Sequence, residues 1–206
     1  MDYYPIQLNL KGKRAVIIGG GKIAERKVRG LLHTGADIIL VSPEITDNLK
    51  ESVQTGKLYW KQKSFSPEDI NEAFLVIAAT SDQEVNRTVK NSASPQQLVL
   101  LVDQPEDSDF ILPAVLNRGK LTLTVSTSGA SPTLTKKIKQ SLAEQYDSRY
   151  QEYVDFLFQC RQWVLKEIDD PKIKQILLSS ITEPSFLSSS NRIEDFNQLV
   201  NDLLKK

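Results

Sequence analysis

The feature that most constrains the fold of this chain is a run of three glycines between an apolar stretch and a helical pattern. The apolar residues 15–18 end at Gly19-Gly20-Gly21, and from Ala24 onward apolar side chains recur at the spacing of one helical face. A short apolar run predicts a buried strand, and the spacing that follows it predicts an amphipathic helix. The glycines therefore form the turn of a strand–turn–helix unit.

The turn fits the G-x-G-x-x-A pattern of dinucleotide-binding sites. Gly19 permits the tight turn, Gly21 lets a pyrophosphate approach the backbone, and Ala24 lets helix and strand pack closely. The helix N-terminus then offers free N–H groups to phosphate. We predict cofactor contacts from Gly19, Gly20, Gly21, Lys22, Ile23 and Ala24. A glycine turn that binds nothing remains the alternative.

The second strand ends without the acidic residue that NAD sites usually place there to bind the ribose hydroxyls. The chain has Ser42-Pro43 at this point, with Glu44 next along, and no arginine at Ser42 or Pro43 to favour a 2′-phosphate. We predict cofactor contacts from Ser42, Pro43 and Glu44. The choice between NAD and NADP stays open at this strand end.

Further apolar runs occur at residues 36–41, 58–60, 74–79 and 98–102. They are continuous rather than alternating, which is typical of parallel strands buried on both faces by helices. Thr80 follows the fourth run, at the sheet edge where ligands bind, and is a candidate cofactor contact. Equally, Ser81 or Asp82 there could simply cap the next helix.

The pattern changes after Phe110. Residues 121–125 alternate as a half-exposed strand does, Ser131 and Pro132 predict a helix start, and a helix is expected over 133–169. A shorter helix follows Pro171 to Ser180, then a polar linker over 185–190 and a last helix over 193–204. We predict an α/β protein with a Rossmann-like parallel-sheet domain over residues 1–112, a small α+β segment over 113–145 and a helical C-terminal part over 146–206.

Composition excludes several classes of protein. Lys+Arg and Asp+Glu are 26 each, so the net charge is zero, which argues against nucleic acid or an anionic membrane as the main partner. Cys160 and His33 are the only residues of their types, so neither an internal disulfide nor a Cys/His metal site is expected. With neither a signal peptide nor an apolar membrane span, a cytoplasmic protein is expected.

Several ordered blocks together resemble one known family. They are Tyr4–Leu10, Gly19–Lys27, Ala78–Asp82 with Val85-Asn86, Val102-Asp103, Phe110–Ala114 and Val125–Pro132. Over about residues 1–145 the chain resembles the precorrin-2 dehydrogenases of siroheme and cobalamin synthesis. It is also similar to the N-terminal half of siroheme synthase and to the fungal bifunctional dehydrogenase/ferrochelatase. The C-terminal helices match only in general character.

This resemblance implies an enzyme, an oxidoreductase that converts precorrin-2 to sirohydrochlorin with NAD⁺. It implies a homodimer, with residues 113–145 as the dimerisation and substrate-side segment. The chain is most like the stand-alone dehydrogenases. Whether it also inserts Fe²⁺ or Co²⁺ into the product, and whether it serves siroheme or cobalamin, stays open.

The resemblance places the family's key aspartate at Asp103, after the fifth strand. A carboxylate at this sheet edge is suited to accept the proton that leaves the macrocycle, or to orient the ring; the alternative is a turn cap before Pro105. Residues 110–143 contain no Asp or Glu but five basic residues. Because precorrin-2 has carboxylate arms, candidate substrate contacts are Arg118, Lys136, Lys137, Thr127 and Ser128. A solvated helix face is the alternative for the lysines.

Two other functions compete with this enzyme. The first is an NAD-binding regulatory module of a potassium transport system, which would share the glycine turn. Such a module usually has an acidic residue where Ser42 stands and has no reason for the blocks at 110–113 and 126–132. The second is a Rossmann-like scaffold that binds nothing, which leaves Gly21 and Ala24 unexplained.

Overall fold

A computed structural model describes residues 3–205, and the chain divides into two compact units, residues 1–112 and 113–206. The first unit is built on a parallel sheet with strands β1 Arg14–Ile18, β2 Asp37–Val41, β3 Tyr59–Lys61, β4 Leu75–Ala78 and β5 Leu98–Leu101. The strands lie in the order β3-β2-β1-β4-β5, and all neighbours are parallel. The winding direction therefore reverses between β1 and β4, the point where such sheets bind ligands.

Helices cover both faces of this sheet, as the continuous apolar runs predict. One face is covered by α1 Lys22–Leu31 and α2 Asp47–Gln54, the other by α3 Gln83–Ser92 and a 3₁₀ turn over Pro67–Ile70. Successive residues of β1 show the division. Ile17 shares a core cluster with Ala24 and Val28 of α1, whereas Ile18 shares one with Val89 of α3. The predicted Rossmann-like domain is confirmed.

The second unit combines a hairpin with helices. Its elements are β6 Ala114–Arg118 and β7 Leu121–Val125, which pair antiparallel, then α4 Pro132–Gln145, α5 Arg149–Glu167, α6 Pro171–Ser180, α7 Pro184–Ser188 and α8 Arg192–Leu204. The last four helices share a core that includes Phe156, Val164, Leu177 and Phe196. The predicted helical C-terminal part is therefore present. Within residues 3–205, no helix has both the length and the apolar character needed to cross a lipid bilayer.

The prediction of one helix over 133–169 is wrong, because the chain breaks at residues 146–148. The guanidinium of Arg118 donates hydrogen bonds to the carbonyls of Ala143 and Tyr146, which ends α4. The Asp147 carboxylate accepts the N–H of Arg149, which begins α5. Both contacts satisfy backbone groups that a helix end leaves without partners.

Two further elements differ from expectation. Residues 185–190 were expected to be a linker, but Pro184 starts the short helix α7, whose Phe186 and Leu187 pack against the helical core. Strand β6 was not predicted. Its signal was the short Gly119-Lys120 connection before the alternating strand β7, which is typical of a hairpin.

Candidate active site

The glycine turn is held in place by two neighbouring loops. Gly19 has φ +113°, and a Cβ built on it would lie 2.5 Å from the carbonyl oxygen of Ala79, at the end of β4. A Cβ on Gly20 would lie 1.9 Å from the carbonyl oxygen of Glu44, in the loop after β2. Real side chains do not tolerate either distance. These two glycines therefore allow the loops after β1, β2 and β4 to meet at one sheet edge.

Gly21 differs from the other two glycines. A Cβ built on it would meet nothing within 4 Å, and the residue is exposed at the N-cap of α1. The missing side chain therefore leaves space outside the protein rather than space for another loop. That space lies beside the free N–H groups of the first helical turn, which suits a pyrophosphate. Lys22 and Ile23 are exposed beside it, and Ala24 is fully buried against the sheet.

The loop after β2 is shaped by its own hydrogen bonds. The Ser42 side chain is buried, and its hydroxyl donates to the carbonyl of Glu44 at 2.7 Å. Trp60 donates its indole N–H to the carbonyl of Ser42 at 2.9 Å. Pro43 and Glu44 are exposed beside the glycine turn. The structure thus gives Ser42 a role in folding the loop, while Pro43 and Glu44 face solvent.

The loop after β4 is fixed by a residue to which the sequence assigned no role. Asn86 of α3 is buried, and its side chain accepts the backbone N–H of Thr80 and donates to the carbonyl of Thr80. The Thr80 hydroxyl accepts the N–H of Asp82, and its one proton lies within reach of the Asp82 carbonyl and the Asn86 side-chain oxygen. Asp82 caps α3 by accepting the N–H groups of Glu84 and Val85. Thr80 and the predicted cap at Asp82 are therefore parts of one loop network.

Asp103 lies just beyond β5 on the same sheet edge. Its side chain is exposed and, within residues 3–205, has no hydrogen bond or ion pair. The neighbouring Asp109 is different, because it accepts the N–H of Val99 at 2.8 Å and pairs with Lys90 at 2.7 Å. Asp109 thus ties its loop to β5. Asp103 is thus an available carboxylate two strands along the edge from the glycine turn.

The candidate substrate residues of the second unit fall into two groups. Arg118 holds the end of α4, and the Thr127 hydroxyl accepts the N–H of Ser131 within its own loop. Lys136 and Lys137 are exposed on α4 and have no ion pair in the described part of the chain. Ser128 has φ +49°, a rare value for a residue other than glycine, at the exposed tip of the loop.

Over residues 3–205, no group of three or more His, Cys, Asp or Glu side chains could hold a metal ion. Cys160 is buried in the helical core, where burial raises the pKa of its thiol to about 11. This thiol has the character of a packing residue rather than a nucleophile.

Comparisons with known families cover most of the chain. Residues 6–114 match a family described as NAD(P)-binding, residues 118–145 match the central region of a sirohaem biosynthesis protein, and residues 150–196 match the SirC C-terminal domain.

Individual relatives agree with these families. The chain is 36% identical over 197 residues to the precorrin-2 dehydrogenase of Priestia megaterium, covering 96% of this chain and 98% of that protein. It is 37% identical over 158 residues to the precorrin-2 dehydrogenase of Bacillus subtilis, covering 77% and 98%. The siroheme synthase of Nitrosococcus oceani is 33% identical over 186 residues, but the chain spans only 40% of its length. A solved structure titled SirC, precorrin-2 dehydrogenase matches 97% of this chain with a TM-score of 0.85 and 36% identity.

Proposed function

This chain belongs to the family of precorrin-2 dehydrogenases and siroheme synthase N-terminal domains, and on that premise we propose that it oxidises precorrin-2 to sirohydrochlorin in tetrapyrrole biosynthesis. The observation that carries this function is similarity over nearly the full length of a protein named precorrin-2 dehydrogenase. The potassium-transport module is not favoured, because the second unit matches sirohaem-biosynthesis and SirC families.

The reaction transfers a hydride from a carbon of the macrocycle to NAD⁺ and releases a proton from the macrocycle, and it yields sirohydrochlorin, NADH and H⁺. Bound NAD⁺ supplies the hydride acceptor. The residues of the chain bind and orient it: Gly21 leaves room for the pyrophosphate at the N-terminus of α1. Lys22 at the start of α1 is exposed beside that position, as are Pro43 and Glu44 in the loop after β2.

We propose that the carboxylate of Asp103 accepts the proton that leaves the macrocycle. A base must be within reach of the proton that it accepts and must not be occupied by other partners. Asp103 is exposed and unpaired in the described part of the chain, whereas Asp109 in the same loop is occupied by Val99 and Lys90. Asp103 also lies on the sheet edge that holds the glycine turn.

The test is anaerobic conversion of enzymatically made precorrin-2, followed by absorbance, with NAD⁺, with NADP⁺ and with neither. We expect NAD⁺-dependent formation of sirohydrochlorin. The Asp103→Ala variant should lose about 100-fold or more in kcat, which is typical of a lost acid–base group. Asp107→Ala, an exposed carboxylate in the same loop, is the matched control and should retain its rate. Equal rates for both variants would remove Asp103 from the chemistry, and no cofactor dependence would overturn the dehydrogenase. Adding Fe²⁺ to the same reaction tests chelation.

We further propose that Lys136 and Lys137 bind carboxylate arms of precorrin-2, since both ammonium groups are exposed and unpaired within residues 3–205. Reversing both charges to Glu should raise KM about fivefold or more at low salt, with less effect at high salt. The pair Lys172 and Lys174 on α6 offers a charge-matched control. An unchanged KM at low salt would reject this role.

The remaining proposals are a homodimer formed through residues 113–145 and a cytoplasmic location. Support for the dimer comes from α4, which has no buried residue and exposes the apolar side chains of Leu134 and Ile138. Val115 of β6 is a third exposed apolar side chain in this segment. Apolar surface of this kind gains free energy when a second copy covers it.

A further inference from the structure

The loop between β2 and α2 lies where dinucleotide sites receive the adenosine ribose. In this chain the usual acidic residue is absent, and Ser42 is buried with its hydroxyl bonded to Glu44. The loop nevertheless touches the glycine turn closely, because the N–H of Thr46 donates to the carbonyl of Gly20 at 3.1 Å. Contacts within the protein therefore set the position of this loop.

A side chain that contributes to this is Glu25, in the first turn of α1. One carboxylate oxygen accepts the hydroxyl of Thr46 at 2.8 Å, and the other accepts the side-chain amide of Asn48 at 2.9 Å. The second oxygen also accepts the guanidinium of Arg29 at 3.0 Å. Only 14% of the Glu25 side chain is exposed, whereas Arg29 is 70% exposed. The carboxylate therefore connects the phosphate-binding helix directly to the loop after β2.

The side chain of Thr46 is directed toward Glu25 and not toward the N–H groups of its own helix. Thr46 is the N-cap of α2, a position where a threonine hydroxyl usually accepts an N–H of its own helix. Here the hydroxyl makes no capping bond and donates to Glu25 instead. Consistent with these donors, the hydrogen bonds from Asn48 and Thr46 lower the pKa of the Glu25 carboxyl. At neutral pH the carboxylate is ionised, and both of its oxygens can accept these hydrogen bonds.

We propose that Glu25 is a positioning residue for the dinucleotide, holding the loop after β2 through Thr46 and Asn48 so that the loop can receive the adenosine ribose. This inference rests on the NAD site of the proposed function, and it concerns binding of the cofactor rather than the oxidation step. In this proposal, the contacts of Glu25 keep the loop after β2 ordered in a site that has no acidic residue at the end of β2.

The experiment is a fluorescence titration with NADH on wild type, Glu25→Ala, Glu25→Gln and Thr46→Val. We expect the NADH Kd to rise about tenfold in Glu25→Ala, because two bonds to a charged acceptor are lost. Thr46→Val, which removes one bond, should show a smaller rise. Glu25→Gln, which can still bond Thr46 and Asn48, should recover most of the affinity. The double variant Glu25→Ala/Thr46→Val should bind no more weakly than Glu25→Ala alone, since both changes break the same contact.

A control and two further readouts separate positioning from general damage. Arg29→Ala removes a Glu25 partner that does not touch the loop, and its NADH Kd should stay within about twofold of wild type. In steady-state assays, KM for NAD⁺ should rise while kcat at saturating NAD⁺ is unchanged. The thermal midpoint of Thr46→Val should stay close to wild type, so its weaker binding would not reflect unfolding.

The outcomes distinguish this inference from the proposed function. NADH affinities of Glu25→Ala and Thr46→Val equal to wild type would overturn the positioning role, even if precorrin-2 is oxidised. Weakened NADH binding with no oxidation of precorrin-2 by wild type would support Glu25 while overturning the dehydrogenase. A fall in kcat with unchanged NADH affinity would also reject the inference.

Discussion

Four of the five residues of strand β1 in the first unit are buried, whereas helix α4 in the second unit has no buried residue over its 14 positions. The difference follows from what covers each element. Strand β1 lies between two strands and two helical layers, while α4 packs on a two-stranded hairpin. The sheet of the first unit is therefore buried within one chain, and the hairpin–α4 segment exposes apolar side chains of the kind that another surface covers.

The two units also form their candidate sites from different kinds of groups. In the first unit the cofactor-binding part of the site is backbone, formed by glycines, helix N–H groups and loops tied by buried side chains such as Asn86. Asp103 adds one exposed carboxylate. In the second unit the candidate groups are the exposed side chains of Lys136, Lys137 and Ser128. Substitutions at the closely packed positions of the first unit should therefore reduce stability, whereas substitutions of these exposed side chains in the second unit should leave folding intact.

The largest effect is expected at Gly20. Gly20→Ala places a Cβ against the Glu44 carbonyl, and backbone cannot yield as a flexible side chain does. We expect a loss of more than about 3 kcal/mol in the free energy of unfolding, measured by urea denaturation. Gly21→Ala is the matched control: its Cβ meets nothing, so stability should change by less than about 1 kcal/mol, while NADH binding weakens about tenfold. Equal stability losses in the two variants would contradict this division.

The next effect concerns the exposed face of α4. Ile138→Glu places a charge on the face that we assign to the dimer, so the dimer dissociation constant should rise about 100-fold or more, equal to about 2.7 kcal/mol. Light scattering over a concentration series measures it. Ile193→Glu on α8, another exposed isoleucine, should leave the assembly unchanged. A monomeric wild type would overturn the dimer itself.

A smaller effect is expected at Asn86. Asn86→Ala leaves the backbone N–H and carbonyl of Thr80 without their partner, which should cost about 2 kcal/mol of stability. It should also weaken NADH binding, because the Thr80 loop packs against Gly19. Thermal unfolding and fluorescence titration measure the two effects. Asn91→Ala, an exposed asparagine of the same helix, controls for changes in α3 itself.

The smallest effect concerns pH and Asp69, a buried carboxylate of the first unit. Burial raises its pKa, but hydrogen bonds from Lys63, the Ser66 N–H and Lys61 outweigh it, so the pKa is lowered overall. A lowered pKa stabilises the fold above the ordinary value of 3.8, and the stabilisation is lost as pH falls through the lowered pKa. We expect Asp69→Asn to cost about 1 kcal/mol at pH 7 and less at pH 3, by urea denaturation. A cost independent of pH would contradict the ionic contribution.

Local patterns were sufficient for much of this structure. The spacing of apolar residues predicted strands β1 to β5 and the parallel sheet, because a buried strand must be apolar on both faces. Ser131, which accepts the N–H of Leu134, and Pro132 begin α4 as predicted, because capping depends only on neighbouring residues. The three-glycine run marked the sheet edge where the loops meet, since no other residue fits such approaches.

Those local patterns could not predict contacts between residues that are distant in the sequence. Arg118 ends α4 through a carbonyl 28 residues away, and Glu25 holds the loop after β2 through a hydroxyl 21 residues away. The sequence shows only a basic residue and an acidic residue at these positions. Their partners exist only once the hairpin has met α4 and α1 has packed beside β2.

The sequence by itself determined the parallel sheet and the glycine turn, because periodicity and residue size act over short stretches of chain, and the family resemblance pointed to Asp103. Only the tertiary structure decided that Gly20 makes room for a loop while Gly21 makes room outside the protein, although the two are adjacent and identical. The physical reason is that a glycine's role depends on which atoms its missing side chain would meet, and packing of distant segments sets those atoms.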